Sequence, residues 1–234
     1  NGFFILKDGN SGTDQSANSN NFTVGGGTLT KTEDNPSNVF ATMNSLDNYY
    51  FNGTFANGNN TVTTNASVES YITSTLAVST GKYYWEIKIS SSGSDRDFIG
   101  IGDRVSTNTN FTPYSGNSNM ISYYGYTGES KSGSSTIGAY GATFTTGDII
   151  SVAMDLDNNK LYFAKNGTWQ NSGDPTSGST GTGALSIPAS PQDGVWYAQF
   201  ANIHNTASTF QANFGNGYFG TTAVSSAGTN ASNI

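Results

Sequence analysis

Along residues 147–167, GDIISVAMDLDNNKLYFAKNG, apolar and polar positions alternate with a period of two. Ile150, Val152, Met154 and Leu156 fall on one side and Ser151, Ala153 and Asp155 on the other, the signature of a strand with one buried face. Asn158-Asn159 supplies a tight turn, because Asn tolerates the positive φ that a two-residue hairpin loop demands. Leu161 and Phe163 return on the inner face, and Asn166-Gly167 makes a second turn. The spacing of three and four that a helix requires is not offered. A hairpin is predicted.

The same pattern recurs in GKYYWEIKISSSGSDRDFIGIGD, residues 81–103. Tyr83, Trp85, Ile87 and Ile89 face one way, and Tyr84, Glu86 and Lys88 the other. Ile99 and Ile101 share a face, while Gly100 and Gly102 leave space beside a neighbouring strand. Further strands are predicted at 120–126, 195–201 and 210–214. Shorter pieces are expected at 22–24, 39–41 and 49–51, and around Val62, Val68, Tyr71, Ile72 and Leu76, with turns at Asn35-Pro36 and Asn57-Gly58. Many short strands at this spacing predict an all-β fold of the sandwich type.

Composition agrees. Of 234 residues only 11% are charged, 29 are Gly and 13% are aromatic, which suits a turn-rich β-protein with a substantial core. The net charge of −7 leaves no basic stripe, so neither nucleic acid nor an anionic membrane surface is an expected partner. No cysteine is present, which excludes disulfides, thiol nucleophiles and cysteine-ligated metals. No apolar run approaches the roughly 18 residues of a membrane span, so no membrane insertion is expected.

The chemistry on offer is sparse. His204 is the single histidine and stands apart from any nucleophile motif, so neither acyl transfer nor a transition-metal site is expected. Asp155, Asp157 and Glu86 could supply a glycosidase pair, but Asp157 reads as a turn acceptor and Glu86 as a solvated strand residue. Asp8, Asn10 and Asp14 in KDGNSGTDQSANSNN are weak calcium candidates, since the loop lacks the glycine and closing glutamate of an EF-hand. No cofactor, metal or catalytic residue is predicted. The stronger candidates are aromatic: Tyr114, Tyr123, Tyr124, Tyr126 and Trp169 lie on or beside loops, and such side chains give large contact area at low entropic cost.

Three stretches together resemble the SPRY domain family. GKYYWEIKI is similar to its Trp-Glu strand, GDIISVAMDLDNNKLYFAKNG to its Gly-Asp, Leu-Asp, Phe, Asn-Gly hairpin, and NFGNGYFG to its closing Asn-Phe-Gly segment, with FIGIGD between the first two. The resemblance covers about residues 65–220 and implies a bent two-sheet antiparallel β-sandwich, a concanavalin-like jelly roll used for recognition rather than catalysis. It divides the chain into N-terminal strands and loops (1–64) packing on the sandwich, the SPRY-like sandwich (65–220) and a linker-like tail (221–234). The first segment, with DGNSG…NNFTV and DNPSNVFATMNSLDNYYF, resembles proteins of marine bacteriophages and environmental viruses.

These resemblances set the functional expectation. It is a virion surface protein, a phage tail fibre or capsid appendage, at the virion surface or extracellular. It would adhere to a surface glycan or protein through loops 103–119, 126–138 and 168–194, and self-association into a homo-oligomer is expected. The alternatives are a structural subunit of an extracellular filament, sheath or capsid decoration, or a bacterial surface adhesin.

Overall fold

The structure is a computed structural model that describes residues 2–5, 12–26, 39–47, 53–66, 69–104, 120–203 and 206–225. In chain order its strands begin with β1 (Thr54–Ala56), β2 (Thr61–Thr63), β3 (Ser70–Val78), β4 (Lys82–Ser91) and β5 (Asp97–Gly102). They continue with β6 (Ile121–Tyr124), β7 (Glu129–Ser132), β8 (Ser135–Ala139), β9 (Ile149–Asp155) and β10 (Lys160–Lys165). The last are β11 (Thr168–Trp169), β12 (Leu185–Ser186), β13 (Trp196–Asn202), β14 (Thr209–Asn213), β15 (Tyr218–Phe219) and β16 (Thr222–Ala223). Two short 3-10 turns, at Gln170–Ser172 and Gly178–Thr180, interrupt the run from β11 to β12. There is no α-helix among the described residues.

The strands form two antiparallel sheets. The larger runs β1-β2-β14-β4-β9-β10-β11, with β12 also on β10; the smaller runs β3-β13-β5-β6-β7-β8. A separate two-stranded ribbon pairs β15 with β16. The predicted alternation is what closes the sandwich. Trp85, Ile87, Ile89, Ile150, Val152, Met154, Leu161 and Phe163 project from the larger sheet onto Ile72, Ile99, Ile101, Ile121, Tyr123 and Phe200 of the smaller, in one buried cluster. Fully burying such a side chain contributes about 1.5–3 kcal/mol. The smaller sheet buries its second face as well, through Tyr71, Phe98, Met120, Tyr124 and Ala201.

Several expectations need correction. The loop between β9 and β10 holds four residues, 156–159, because Lys160 pairs with Asp155. Within it only Asn159 has a positive φ, of 55°. The second turn is as expected: Asn166 and Gly167 both have positive φ, 48° and 80°, as a type I′ turn requires. The apolar runs at 22–24 and 39–41 are not strands. Phe3 and Phe22 pack edge-on against each other at 4.7 Å instead. The Gly/Ser-rich stretch 128–138 contains β7 and most of β8 rather than open loop. The predicted piece at 49–51, Val68 and the Asn35-Pro36 turn lie outside the described residues.

Candidate functional site

The exposed face of the larger sheet is built from successive cross-strand rungs. One aligns Lys82, Asp155 and Lys160; the next aligns Tyr84, Ala153 and Tyr162; a third aligns Glu86, Ser151, Ala164 and Trp169. Their neighbours along each strand, Trp85, Val152 and Phe163, are in the core, so the period of two turns these side chains outward. In the middle rung a single methyl group, that of Ala153, lies between two aromatic rings. Of the two, Tyr84 is exposed and Tyr162 is buried, and beside Ala153 lies a groove of about 290 Å³, lined also by Tyr83, Met154, Trp169 and Pro175.

The walls are held by specific contacts. The Tyr84 hydroxyl donates to Glu86 Oε1 at 2.6 Å; burial first, and then this carboxylate, push the Tyr84 hydroxyl up to about 12. The Tyr162 ring meets the Trp169 ring edge-on at 6.5 Å, and its hydroxyl pairs with Ser177 Oγ at 3.2 Å. Pro175 enters from the segment that follows β11, which Asp174 shapes by accepting from the Thr176 amide at 2.8 Å and its hydroxyl at 2.6 Å. This segment, read from sequence as a long polar loop, therefore has its own turn structure.

At the end of the groove Lys82 pairs with the buried carboxylate of Asp155. Asp155 also accepts from the Asn158 amide at 3.1 Å and its side-chain nitrogen at 2.8 Å. Burial raises the Asp155 pKa, but Lys82 and Asn158 outweigh it and hold the carboxyl below the ordinary carboxylate value. A second cleft of about 210 Å³ adjoins the groove across Tyr83 and Tyr84; Leu76 stands at its rim, Trp85 and Trp196 at its floor.

The predicted site residues separate accordingly. Trp169 lines the groove. Tyr123 is a core residue, its ring against Tyr140, Phe144 and Phe163 and its hydroxyl donating to the Ala142 carbonyl. Tyr124 is buried on the opposite face of the smaller sheet, stacked on Phe98 at 4.3 Å. Tyr126 is exposed, with the Arg96 guanidinium 5.1 Å over its ring. Tyr114, His204, Asp8 and Asn10 lie outside the described residues.

Asp14 uses its carboxylate to build a turn, with all four hydrogen bonds at 2.8 Å. Oδ1 accepts from the Phe4 and Ser16 amides, and Oδ2 from the Ser16 hydroxyl and the Asn20 amide. The Phe4 bond leads in lowering its pKa to about 2. With its lone pairs so engaged it is not a free cation ligand, and no cluster of three or more His, Cys, Asp or Glu occurs among the described residues. The glycosidase candidates are also engaged: Asp157 accepts from the Gly81 amide at 2.9 Å, and Glu86 from Tyr84.

Sequence reading missed Lys82, Tyr162 and Pro175. Alternation did place Tyr84 outward, but only the strand register brings it beside Ala153 and Tyr162.

The groove sits on a fold of known class. Residues 82–194 match the SPRY domain model. Among solved structures the chain resembles the SPRY domain of human HERC1, with TM-score 0.52 and 17% identity, over 70% of this chain and 92% of that one. Another human SPRY domain matches with TM-score 0.50 and 16% identity, over 67% and 92%. The fold is thus a β-sandwich like that of the SPRY domains it matches.

The curated relatives are larger proteins. Ran-binding protein 9 of Danio rerio is 41% identical over 88 residues, 37% of this chain and 14% of that protein. The Homo sapiens protein of that name is also 41% identical over 88 residues, 37% of this chain and 12% of its own length. The Drosophila melanogaster Ran-binding proteins 9/10 homolog is 37% identical over 90 residues, 38% and 9%. The chain thus spans about a seventh or less of these relatives' length.

These matches overturn the viral reading. The relatives are Ran-binding proteins of animals, so the tail-fibre or capsid-appendage role, its structural-subunit and bacterial-adhesin alternatives, the virion-surface or extracellular localisation and the glycan-adhesion role are all withdrawn. Burial of Tyr123 and Tyr124 also removes two of the five proposed aromatic contact residues. The viral resemblance rested on the first 51 residues, which lie outside the matched domain.

Proposed function

We propose that this chain recognises a protein partner by docking one of the partner's segments in the groove between Tyr84 and Trp169. The observation that carries the reading is the groove beside Ala153, walled by Tyr84, which is 54% exposed, and by Trp169 and Pro175. Rigid aromatic walls around a small floor are the form that buried hot-spot contacts take at protein interfaces. The relatives are named for binding Ran, which supports a protein as the class of partner.

Random peptide display against the chain tests this. Selected binders should lose about tenfold or more in affinity on Trp169→Ala or Tyr84→Ala. They should keep it on Tyr126→Ala, an exposed aromatic on the other sheet. Binders indifferent to both groove substitutions would place recognition elsewhere on the molecule.

A further inference from the structure

Among the described residues Asn stands directly before Gly three times, at 57–58, 166–167 and 216–217. Such a pair carries a reaction of its own. Glycine has no side chain to shield its backbone nitrogen, so that nitrogen can attack the carbonyl carbon of the Asn side chain. Its proton passes to a solvent base, the N–Cγ bond forms, the Cγ–Nδ2 bond breaks and ammonia leaves. Water then opens the cyclic imide at either carbonyl, giving aspartate or isoaspartate. Neither an oxidant nor a cofactor takes part. The reaction does require a side chain free to swing onto the next residue's nitrogen.

Two of the pairs make a matched comparison. Asn57 and Gly58, between β1 and β2, have φ 52° and 62°; Asn166 and Gly167, between β10 and β11, have 48° and 80°. All four residues are exposed. They differ in what holds the amide. Asn166 is tied at both ends, because Oδ1 accepts from the Ile149 amide at 2.8 Å and Nδ2 donates to Asp148 Oδ1 at 2.7 Å. Lys165 pairs with the same carboxylate at 3.0 Å and fixes it in turn. The Asn57 side chain makes one hydrogen bond among the described residues, from Nδ2 to the Thr61 hydroxyl at 2.9 Å. In the third pair the attacking nitrogen is itself engaged: the Gly217 amide donates to Asn213 Oδ1 at 3.3 Å, and Asn216 is buried.

We propose that Asn57 is a site of spontaneous modification, converted in the folded chain to aspartate and isoaspartate, while their hydrogen bonds protect Asn166 and Asn216. The product places a carboxylate in the β1–β2 turn, and isoaspartate adds one backbone atom there. That turn lies on the edge of the larger sheet opposite β11.

Peptide mapping by mass spectrometry, on folded chain held in warm, mildly alkaline buffer, tests this. Asn57 should lose its amide faster than Asn166 by about tenfold or more, since freeing Asn166 breaks two bonds, one of them charge-assisted. In urea the two should convert at similar rates. Asp148→Ala releases Nδ2 of Asn166 and should bring its rate towards that of Asn57, with the urea midpoint as a check on folding. Equal rates in the folded chain for Asn57 and either other Asn overturn the proposal. So does a ratio as large in urea as in buffer, or an Asn166 rate unmoved in a folded Asp148→Ala chain.

Discussion

Asp97 is a buried carboxylate whose oxygens accept from Ser92 Oγ at 2.7 Å and Asn202 Nδ2 at 2.8 Å. Burial dominates these bonds and raises its pKa above the ordinary 3.8. A group bound more tightly to its proton in the folded chain contributes stability that is complete below the unfolded pKa and is lost as pH rises through the folded value. Asp155 and Asp148 act in the opposite sense, since their pKa values are lowered and their contribution disappears as pH falls below 3.8. The two windows do not overlap. Asp97→Asn keeps an oxygen for Asn202 and removes the buried charge, so its urea midpoint should gain on that of the parent chain between pH 4 and pH 7. Parallel profiles for the two proteins would show that Asp97 is not the source of the slope.

Elements add a second constraint, the geometry of their turns. Gly167 has φ +80°, and nothing lies within 4 Å of the place a Cβ would take. Gly167→Ala therefore costs backbone strain alone, about 1–2 kcal/mol, read as a lower urea midpoint. The hairpin around it was legible because β9 and β10 alternate strictly and Asn-Gly has few other uses. β7 and β8 were not: ESKS and STIGA contain one large apolar residue between them, Ile137, and their pairing depends on β6, already in place beside them. Conversely, 22–24 and 39–41 have strand-like composition but pair with no strand among the described residues.

Tyr123 and Tyr124 misled for a related reason. β6 is an interior strand covered on both faces, so adjacent tyrosines point to two different cores rather than to one core and solvent. Trp169 could be found as an aromatic beside a turn. The slot it borders could not, because Tyr84 meets Ala153 only through a register between strands nearly 70 residues apart.

At the scale of the molecule, both sheets are completed by the last long strands. β13 lies between β3 and β5, and β14 between β2 and β4. Residues 82–194 match the domain model, yet a chain cut to that span loses both strands. It should give no cooperative unfolding transition and be cleaved rapidly by protease, whereas residues 39–225 should unfold as one unit. A cooperative transition in the shorter piece would show that β13 and β14 are dispensable.

The placement of β14 also has a consequence during synthesis. Its partners β2 and β4 leave the ribosome more than a hundred residues earlier, and at about 5–20 residues per second they wait several seconds for it. Throughout that interval Val62, Ile87 and Ile89 have no Phe210 to close over them. Apolar surface left open in this way is prone to aggregate until β14 is translated, and synonymous codons that slow the ribosome before residue 209 should lower the yield of folded protein without changing a single side chain.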